Sequence, residues 1–308
     1  MTLHTRQADS RLILTATLLA STFLMGSSFI SGKILLDQGF PPFLLVGWRF
    51  FVAALATLPL VLLDGRSLFA ALFPRGARGR EVLIVMVIGL AQTAAVMSLL
   101  FLAMRTLSAA AAAILLFTNP LWVALASRVL FAERLGLTRL SGLLLGIVGV
   151  ALAIGPEALL GRDPAMLGGL ACGLACGLAS ALCWAAATLV NKRSQLSLGN
   201  WSLSFWQMFI GSLFVLLAAS FTGEQWPASV STAQWGWFLW LAIPASTGSF
   251  GLWFLALKKG NATRVSGFLF FAPLFAVLMS FSVLGTQLSW VQGLGALAIA
   301  LAIWLVNN

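Results

Sequence analysis

Residues 103–125 read AMRTLSAAAAAILLFTNPLWVAL, and residues 256–278 read ALKKGNATRVSGFLFFAPLFAVL. Laid over each other, the two stretches pair Pro120 with Pro273. The same register, with slightly different offsets near the start of each half, also pairs Gly142 with Gly295, Lys33 with Lys192, and Trp48-Arg49 with Trp206-Gln207. The chain therefore contains an internal repeat that runs over most of its length.

The composition places most of the chain in lipid. Of its 308 residues, 60% are hydrophobic and 8% are charged, whereas an ordinary globular domain carries about 25% charged residues. Glycine, proline and charge clusters divide the sequence into ten apolar runs: 12–35, 42–63, 82–104, 107–130, 137–155, 166–190, 201–222, 235–257, 263–284 and 288–306. Each run is long enough to cross a bilayer as a helix. Because backbone groups in lipid must pair within their own segment, we expect an all-α polytopic membrane protein with ten transmembrane helices.

The repeat and the charges together predict two inverted five-helix repeats, residues 1–155 and 156–308. Five spans per copy is an odd number, so the second copy enters the membrane from the opposite side. The gap after span two holds four arginines, and its copy after span seven holds no lysine or arginine. The gap after span three holds one positive residue, and its copy holds Lys258, Lys259 and Arg264. Positive loops face the cytoplasm, and 14 of the 18 lysines and arginines fall on one side, so both termini are expected in the cytoplasm.

Several motifs carry a resemblance to a known family. The first half shows Ala103, the small-residue run 108–113, Asn119-Pro120, residues 131–134, Gly142, Gly146 and Gly149; the second shows Lys258, Ser266, Ala272-Pro273 and Gly295. In order and spacing these residues resemble the duplicated EamA-type domain of the drug/metabolite transporter superfamily. Within it, the bacterial exporters of aromatic and other amino acids are the nearest likeness.

This resemblance implies an exporter of the bacterial inner membrane. Spans one to four and six to nine would surround a cavity, and spans five and ten would lie at the periphery. The implied substrate is an amino acid; drugs or other metabolites, such as purines or organic cations, are the alternative. One departure concerns Glu133, because its counterpart in the second half is Thr286. Any role of Glu133 would therefore not be shared between the halves.

The sequence argues against other classes of protein. The net charge is +10, but the lysines and arginines are scattered among apolar runs, not gathered on one face as in nucleic-acid-binding proteins. The single histidine, His4, lies in the tail, so no histidine-based triad or metal site can form. We expect no enzyme, no cofactor and no metal, and nothing indicates an obligate protein partner besides the lipid bilayer. A channel or a membrane-embedded enzyme is the lesser alternative.

The acidic residues bear on how transport is driven. All eight lie in tails, gaps or span ends. Proton-driven carriers place a carboxylate or histidine inside the membrane. The distribution therefore favours facilitated or weakly coupled transport over tight proton coupling.

Polar and aromatic residues near the middle of the spans are the candidates for the substrate site. Arg49 is the one charge well inside a span, about 10 Å past Pro42 at 1.5 Å per residue. The full set is Arg49, Gln92, Asn119, Trp184, Gln207, Ser246, Ser249 and Trp253. The last three are expected on one face of span eight. For the polar members, a hydrogen bond that only joins helices is the alternative role.

Pro120 and Pro273 are candidate hinges. The repeat pairs them near the middle of spans four and nine. A proline inside a helix frees a carbonyl group and permits a kink. Such paired breaks serve as hinges in transporters, and a static kink is the alternative.

Overall fold

The computed structural model of the chain describes every residue except 1, 65–66, 74–78, 120–121, 124, 127–128, 130–135, 155–163, 195, 260–267, 269–270, 286–288 and 308. The described part is helical, and these residues include no strand. The first half contains α1 (Thr2–Asp37), α2 (Pro42–Val61), α3 (Leu68–Leu72), α4 (Gly79–Ile88), α5 (Val96–Thr106), α6 (Ala109–Leu116) and α7 (Leu137–Ile154). A π-helical segment, Gly89–Ala95, joins α4 to α5; we call it the first π segment.

The second half contains α8 (Pro164–Arg193), α9 (Asn200–Thr222), α10 (Thr232–Ala242), α11 (Ser249–Lys259), α12 (Phe271–Leu284) and α13 (Trp290–Asn307). The second π segment, Ile243–Gly248, joins α10 to α11. Local signals explain two of the ends. α9 stops at Gly223, whose positive φ of 67° is a conformation that glycine adopts readily. α10 starts with a capping box between Ser231 and Gln234.

Five described helices are long and apolar enough to cross a membrane: Leu12–Asp37, Pro42–Val61, Gly79–Thr106, Gly168–Asn191 and Asn200–Thr222. Leu274–Leu284 and Trp290–Ala302 are shorter apolar helices. Large apolar side chains such as Phe221 and Trp290 point outward and are exposed, as lipid contact requires. The all-helical class is confirmed, and the number of ten spans stays a prediction.

Helices in corresponding places of the two halves make corresponding contacts. α2 packs along α9, and α7 packs along α13. α1 contacts α12 and α11, while its counterpart α8 contacts α6 and α5. α2 contacts the second π segment, and α9 contacts the first. Exchanging the halves therefore reproduces the contact pattern, as expected when two similar units pack face to face.

The central helices α2 and α9 run antiparallel. Gly47, early in α2, lies against Leu216, late in α9. Just beyond α9, the Glu224 carboxylate accepts hydrogen bonds from the backbone N–H groups of Phe43 (3.3 Å) and Leu44 (2.8 Å) in the first turn of α2. A carboxylate in this place pairs free N–H groups and interacts favourably with the helix dipole. The start of one central helix is thus bound to the end of the other.

Glycine lets α9 approach the first π segment closely. A Cβ added to Gly211 would lie 2.7 Å from the backbone oxygen of Gly89. One added to Gly89 would lie 3.1 Å from the backbone oxygen of Gln207. Only residues without a side chain allow this separation. The contact holds the first π segment at a fixed place beside α9.

Candidate functional site

A cavity of about 60 Å³ lies where α1, α2, α5, α8 and the two π segments meet. Both halves contribute to its walls, which are mostly apolar, as is usual for small-molecule sites. The lining residues are Met25, Ser28, Phe29, Arg49, Gln92, Val96, Met97, Leu100, Leu116, Phe117, Trp184, Ala245, Ser249 and Phe250. The structure therefore brings four of the eight predicted site residues to one cavity: Arg49, Gln92, Trp184 and Ser249.

Arg49 is the charged group of this cavity. Its side chain extends from the middle of α2 and is 3% exposed. The Nε group donates a hydrogen bond of 2.8 Å to Ser246 Oγ. The guanidinium carbon lies 4.6 Å from the ring centre of Phe50 and 5.6 Å from that of Phe101. These cation–π contacts and the serine hold the cation beside the cavity.

The second π segment orients the serine that receives Arg49. Ser246 Oγ donates its hydrogen to the Leu241 carbonyl at 2.8 Å. Because the hydroxyl hydrogen is engaged there, a lone pair remains for the Arg49 Nε–H. The next residue, Thr247, donates from Oγ1 to the Ala53 carbonyl of α2 at 2.8 Å. The segment is therefore bound to α2 at two neighbouring positions.

The first π segment occupies the corresponding place in the other half. It carries Gln92, and in the register that pairs Pro120 with Pro273 this residue falls on Ala245 of the second π segment. Gln92 and Ala245 both line the cavity. In a π helix the hydrogen bonds reach back five residues, and such segments occur often at functional sites. The Val96 N–H bonds in this way to the Ala91 carbonyl. Each half thus contributes a π segment to the same site.

The guanidinium of Arg49 has no ionic partner among the described residues. The salt bridge that is found among the described residues does not involve Arg49: it joins Lys33 to Asp37 at 2.9 Å, near the end of α1. Of the Arg49 donors, Nε has a hydrogen-bond partner, Ser246 Oγ, and the other N–H groups have none within the described part of the chain. An arginine side chain carries five N–H donors. The remaining donors are available to a bound molecule.

Three aromatic rings form part of the wall of the cavity that Arg49 lines. The ring centre of Phe117 lies 6.1 Å from that of Phe29 and 5.8 Å from that of Trp184. The three rings come from α1, from the residue after α6, and from α8. They provide a continuous apolar and aromatic surface within the same cavity as Arg49.

The other predicted site residues lie away from the cavity lining. Asn119 is 8% exposed, and its Nδ2 atom has no hydrogen-bond partner among the residues that the structure describes. Gln207 is buried in α9, with its backbone against Gly89. Trp253 packs against the pair Leu18 and Ala256. Ser246 lies in the second π segment, whereas Ser249 and Trp253 lie four residues apart in α11; the shared face of these three residues stays a prediction.

The structure bears differently on the two proline hinges. Pro120 lies outside the described residues, but α6 ends at Leu116 and is followed by a turn at 117–118. A helix commonly ends shortly before a proline. Pro273 is the third residue of α12 as described. Residues 269–270, directly before α12, lie outside the described residues, so the hinge role of Pro273 stays a prediction.

Contacts between the two halves also lie at both ends of the bundle. At one end, Glu224 binds the first turn of α2, and Trp226 packs its ring 5.0 Å from that of Phe40. At the other end, Ser197 Oγ donates to Glu81 Oε2 at 2.6 Å. The sequence pattern does not reveal these pairings, since each joins residues from different halves.

A second cavity lies at the end where Glu81 sits. Its volume is about 240 Å³, and its wall is almost wholly apolar, formed by α3, α4, the 196–199 loop and α9. Trp206 lines it and donates from Nε1 to the Leu72 carbonyl at 3.0 Å. No lysine or arginine lines this cavity among the described residues.

Comparison with known proteins decides the family. The EamA-like transporter family matches residues 12–155 and again residues 171–308. The chain belongs to the EamA-like transporter family. YoaV, an uncharacterized transporter of Bacillus subtilis, is 26% identical over 94% of both chains. An uncharacterized transporter of Archaeoglobus fulgidus is 26% identical over 95% of this chain and 97% of its own length.

The fold of this EamA-like transporter is shared with a solved protein. One crystal structure matches it with a TM-score of 0.65, over 97% of this chain and 96% of the other, at 19% identity. Such a likeness shows the fold alone. Together with the apolar helices, the family makes the chain a multi-pass membrane transporter, and its resemblance to the EamA family is confirmed.

Proposed function

We propose that this EamA-like transporter exports amino acids or related small metabolites that carry a carboxylate across a bacterial inner membrane. The observation that carries the proposal is the buried guanidinium of Arg49. It lies on the wall of a mostly apolar cavity and has no carboxylate partner among the described residues. A carboxylate on the substrate is the group that completes it.

The energetics of a charge in the membrane support this reading. A charged side chain at the centre of a bilayer costs several kcal/mol unless it is paired or hydrated. The guanidinium fork matches a carboxylate with two parallel hydrogen bonds, which are about twice as strong as neutral ones. A substrate carboxylate would therefore stabilise Arg49 while Arg49 binds it. The aromatic wall of Phe29, Phe117 and Trp184 suits an apolar substrate body.

The volume of the cavity supports transport by alternating access. Small-molecule sites usually measure roughly 300–1,000 Å³, whereas this cavity has about 60 Å³. An amino acid enters only when the surrounding helices separate. Since hydrogen bonds join the two halves at both ends of the bundle, we interpret this conformation as a closed state between an inward-open and an outward-open state.

Three observations support two inverted repeats as the moving parts. α2 and α9 hold corresponding places and run antiparallel. Contacts between helices are reproduced when the halves are exchanged. Loops rich in lysine and arginine correspond to loops in the other half that carry at most one. Transporters with such repeats bind substrate between the halves near the middle of the membrane, where Arg49 and the two π segments meet.

Counterflow of labelled substrate in proteoliposomes tests the proposal. A panel of amino acids is offered to the full-length protein, to Arg49→Gln, and to the control Arg105→Gln, whose arginine is exposed at the end of α5. Hydrogen bonds to charged groups contribute about 1.5–3 kcal/mol, so Arg49→Gln should lower kcat/KM roughly 10–150-fold. The control should transport like the parent.

Two results would contradict the proposal. One is saturable counterflow that Arg49→Gln leaves unchanged, because the cation would then lie outside the substrate site. The other is flux that neither saturates nor shows counterflow, which is the behaviour of a channel. Size-exclusion profiles and thermal unfolding of each variant separate a lost site from a lost fold.

A further inference from the structure

The charges around the cavity distinguish between classes of carboxylate-bearing substrate. An amino acid brings a carboxylate and an ammonium group, and both need partners in a site of low dielectric constant. Arg49 supplies a partner for the carboxylate. No aspartate or glutamate lines the cavity among the described residues. The described wall therefore provides a cation and no anion.

Hydroxyl and amide groups make up the rest of the polar wall. Ser28 Oγ donates to the Met25 carbonyl at 2.8 Å, and Ser249 Oγ donates to the Ala245 carbonyl at 2.9 Å. The oxygen atoms of both hydroxyls, and the amide oxygen of Gln92, can accept a hydrogen bond from a substrate. These groups are neutral, so they do not compensate a second positive charge close to Arg49. A like charge nearby disfavours the charged form of an ionisable group.

We infer that the site prefers a net-anionic monocarboxylate with an aromatic or apolar body over a zwitterion of the same size, and that it rejects amines. This inference rests on the proposed function and specifies its substrate class. The carboxylate binds the free N–H donors of Arg49. The apolar body packs on the aromatic wall of Phe29, Phe117 and Trp184.

The same inference gives a driving force for export. A monoanion that leaves a cell with a negative interior moves down the electrical gradient. A potential of 100 mV acting on one charge corresponds to roughly a fiftyfold concentration ratio. Export of such an anion needs no proton, which agrees with the acidic residues lying in tails, gaps and span ends. Transport of a zwitterion moves no net charge and does not respond to the potential.

Three probes of matched shape test the inference: 3-phenylpropionate, L-phenylalanine and 2-phenylethylamine. They share a phenyl ring on a short chain and carry a carboxylate, both charged groups, and an ammonium group, respectively. Each labelled probe is offered to proteoliposomes that contain the full-length protein. Protein-free liposomes measure passive leak, and a potassium gradient with valinomycin sets the membrane potential.

The expected result is counterflow of phenylpropionate at least tenfold faster than that of phenylalanine below saturation, with none for phenylethylamine. An inside-positive potential should raise accumulation of phenylpropionate and leave phenylalanine unchanged. Arg49→Gln should bring the two carboxylates to within about twofold of each other. Arg49→Lys keeps the positive charge and should retain the preference, which separates the sign of the charge from a folding defect. Arg105→Gln should behave like the parent.

The outcomes separate this inference from the proposed function. Equal or faster transport of phenylalanine overturns the preference for anions and leaves the proposed function standing. Transport of phenylethylamine also overturns the inference, since it would require an anionic partner that the described wall lacks. If folded protein transports no amino acid and no carboxylate, both are wrong.

Discussion

Replacing Ser246 by alanine is the sharpest test of how the cation is held. Ser246 Oγ receives the hydrogen bond from Arg49 Nε at 2.8 Å, and it is 0% exposed, so water does not replace it readily. Hydrogen bonds to charged groups contribute about 1.5–3 kcal/mol, and a buried donor left unpaired costs about 1–3 kcal/mol. The rings of Phe50 and Phe101 would still hold the guanidinium but would not fix its rotation. We therefore expect Ser246→Ala to weaken substrate binding about 10–150-fold.

The assay is a double-mutant cycle on counterflow and thermal unfolding. Ser246→Ala, Arg49→Gln and the double variant are compared with the parent. Because both changes remove the same contact, the double variant should resemble Arg49→Gln, with a coupling energy of about 1.5–3 kcal/mol. Ser212→Ala is the matched control: its hydroxyl is equally buried but donates within α9 to the Phe209 carbonyl. If Ser246→Ala and Ser212→Ala have equal effects, or if the two site variants are additive, the reasoning is wrong.

Four further predictions follow from other parts of the molecule. Gly211→Ala should lower thermal stability by about 1–3 kcal/mol, because the new Cβ meets the backbone of the first π segment, whereas Gly236→Ala, which meets nothing within 4 Å, should not. Glu224→Gln weakens the cap on α2, worth about 1 kcal/mol, and should increase labelling of a cavity cysteine from that end; unchanged labelling would refute its role in closure. In a cysteine-free background and intact cells, an impermeant thiol reagent should label a cysteine near Ser229 and spare one near Arg75; equal labelling would contradict inversion. Collapsing the proton gradient should leave counterflow largely intact, and strict dependence on pH would reveal a coupled carboxylate.

The helices were predictable where the apolar runs are bounded by strong local signals. The sequence places span two at 42–63 and span seven at 201–222, and the structure has Pro42–Val61 and Asn200–Thr222. Proline at the start of one helix and glycine at the end of the other mark these limits. The charge of Arg49 inside a span likewise identifies one site residue without any tertiary information. Burial of a lone charge in lipid is costly enough to be informative in itself.

The partners of Arg49 were not predictable, for two physical reasons. Ser246 lies 197 residues away along the chain, and its contact depends on how the halves pack. In addition, the π segments shift the helical register, and their residues are ordinary small and apolar ones apart from Gln92, Pro244 and two glycines. Spans surrounded by lipid and other helices are apolar on all sides, so periodicity does not show which way a polar residue points. Asn119 and Gln207 were selected by depth and Trp253 by its spacing from the two serines of span eight, and none of the three lines the cavity among the described residues.

One difference between the two copies of the duplicated scaffold concerns the charge at the cavity. The repeat aligns Arg49 of α2 with Gln207 of α9. Arg49 extends to the second π segment and bonds to Ser246. At the corresponding place in the other half, the backbone of Gln207 lies directly against Gly89 of the first π segment, and its side chain is an uncharged amide. A symmetric pair of arginines would put two like charges near one cavity and double the cost of burial. In the proposed function, symmetry in the backbone would provide for movement between two access states, whereas asymmetry in the side chains would provide one place for a carboxylate.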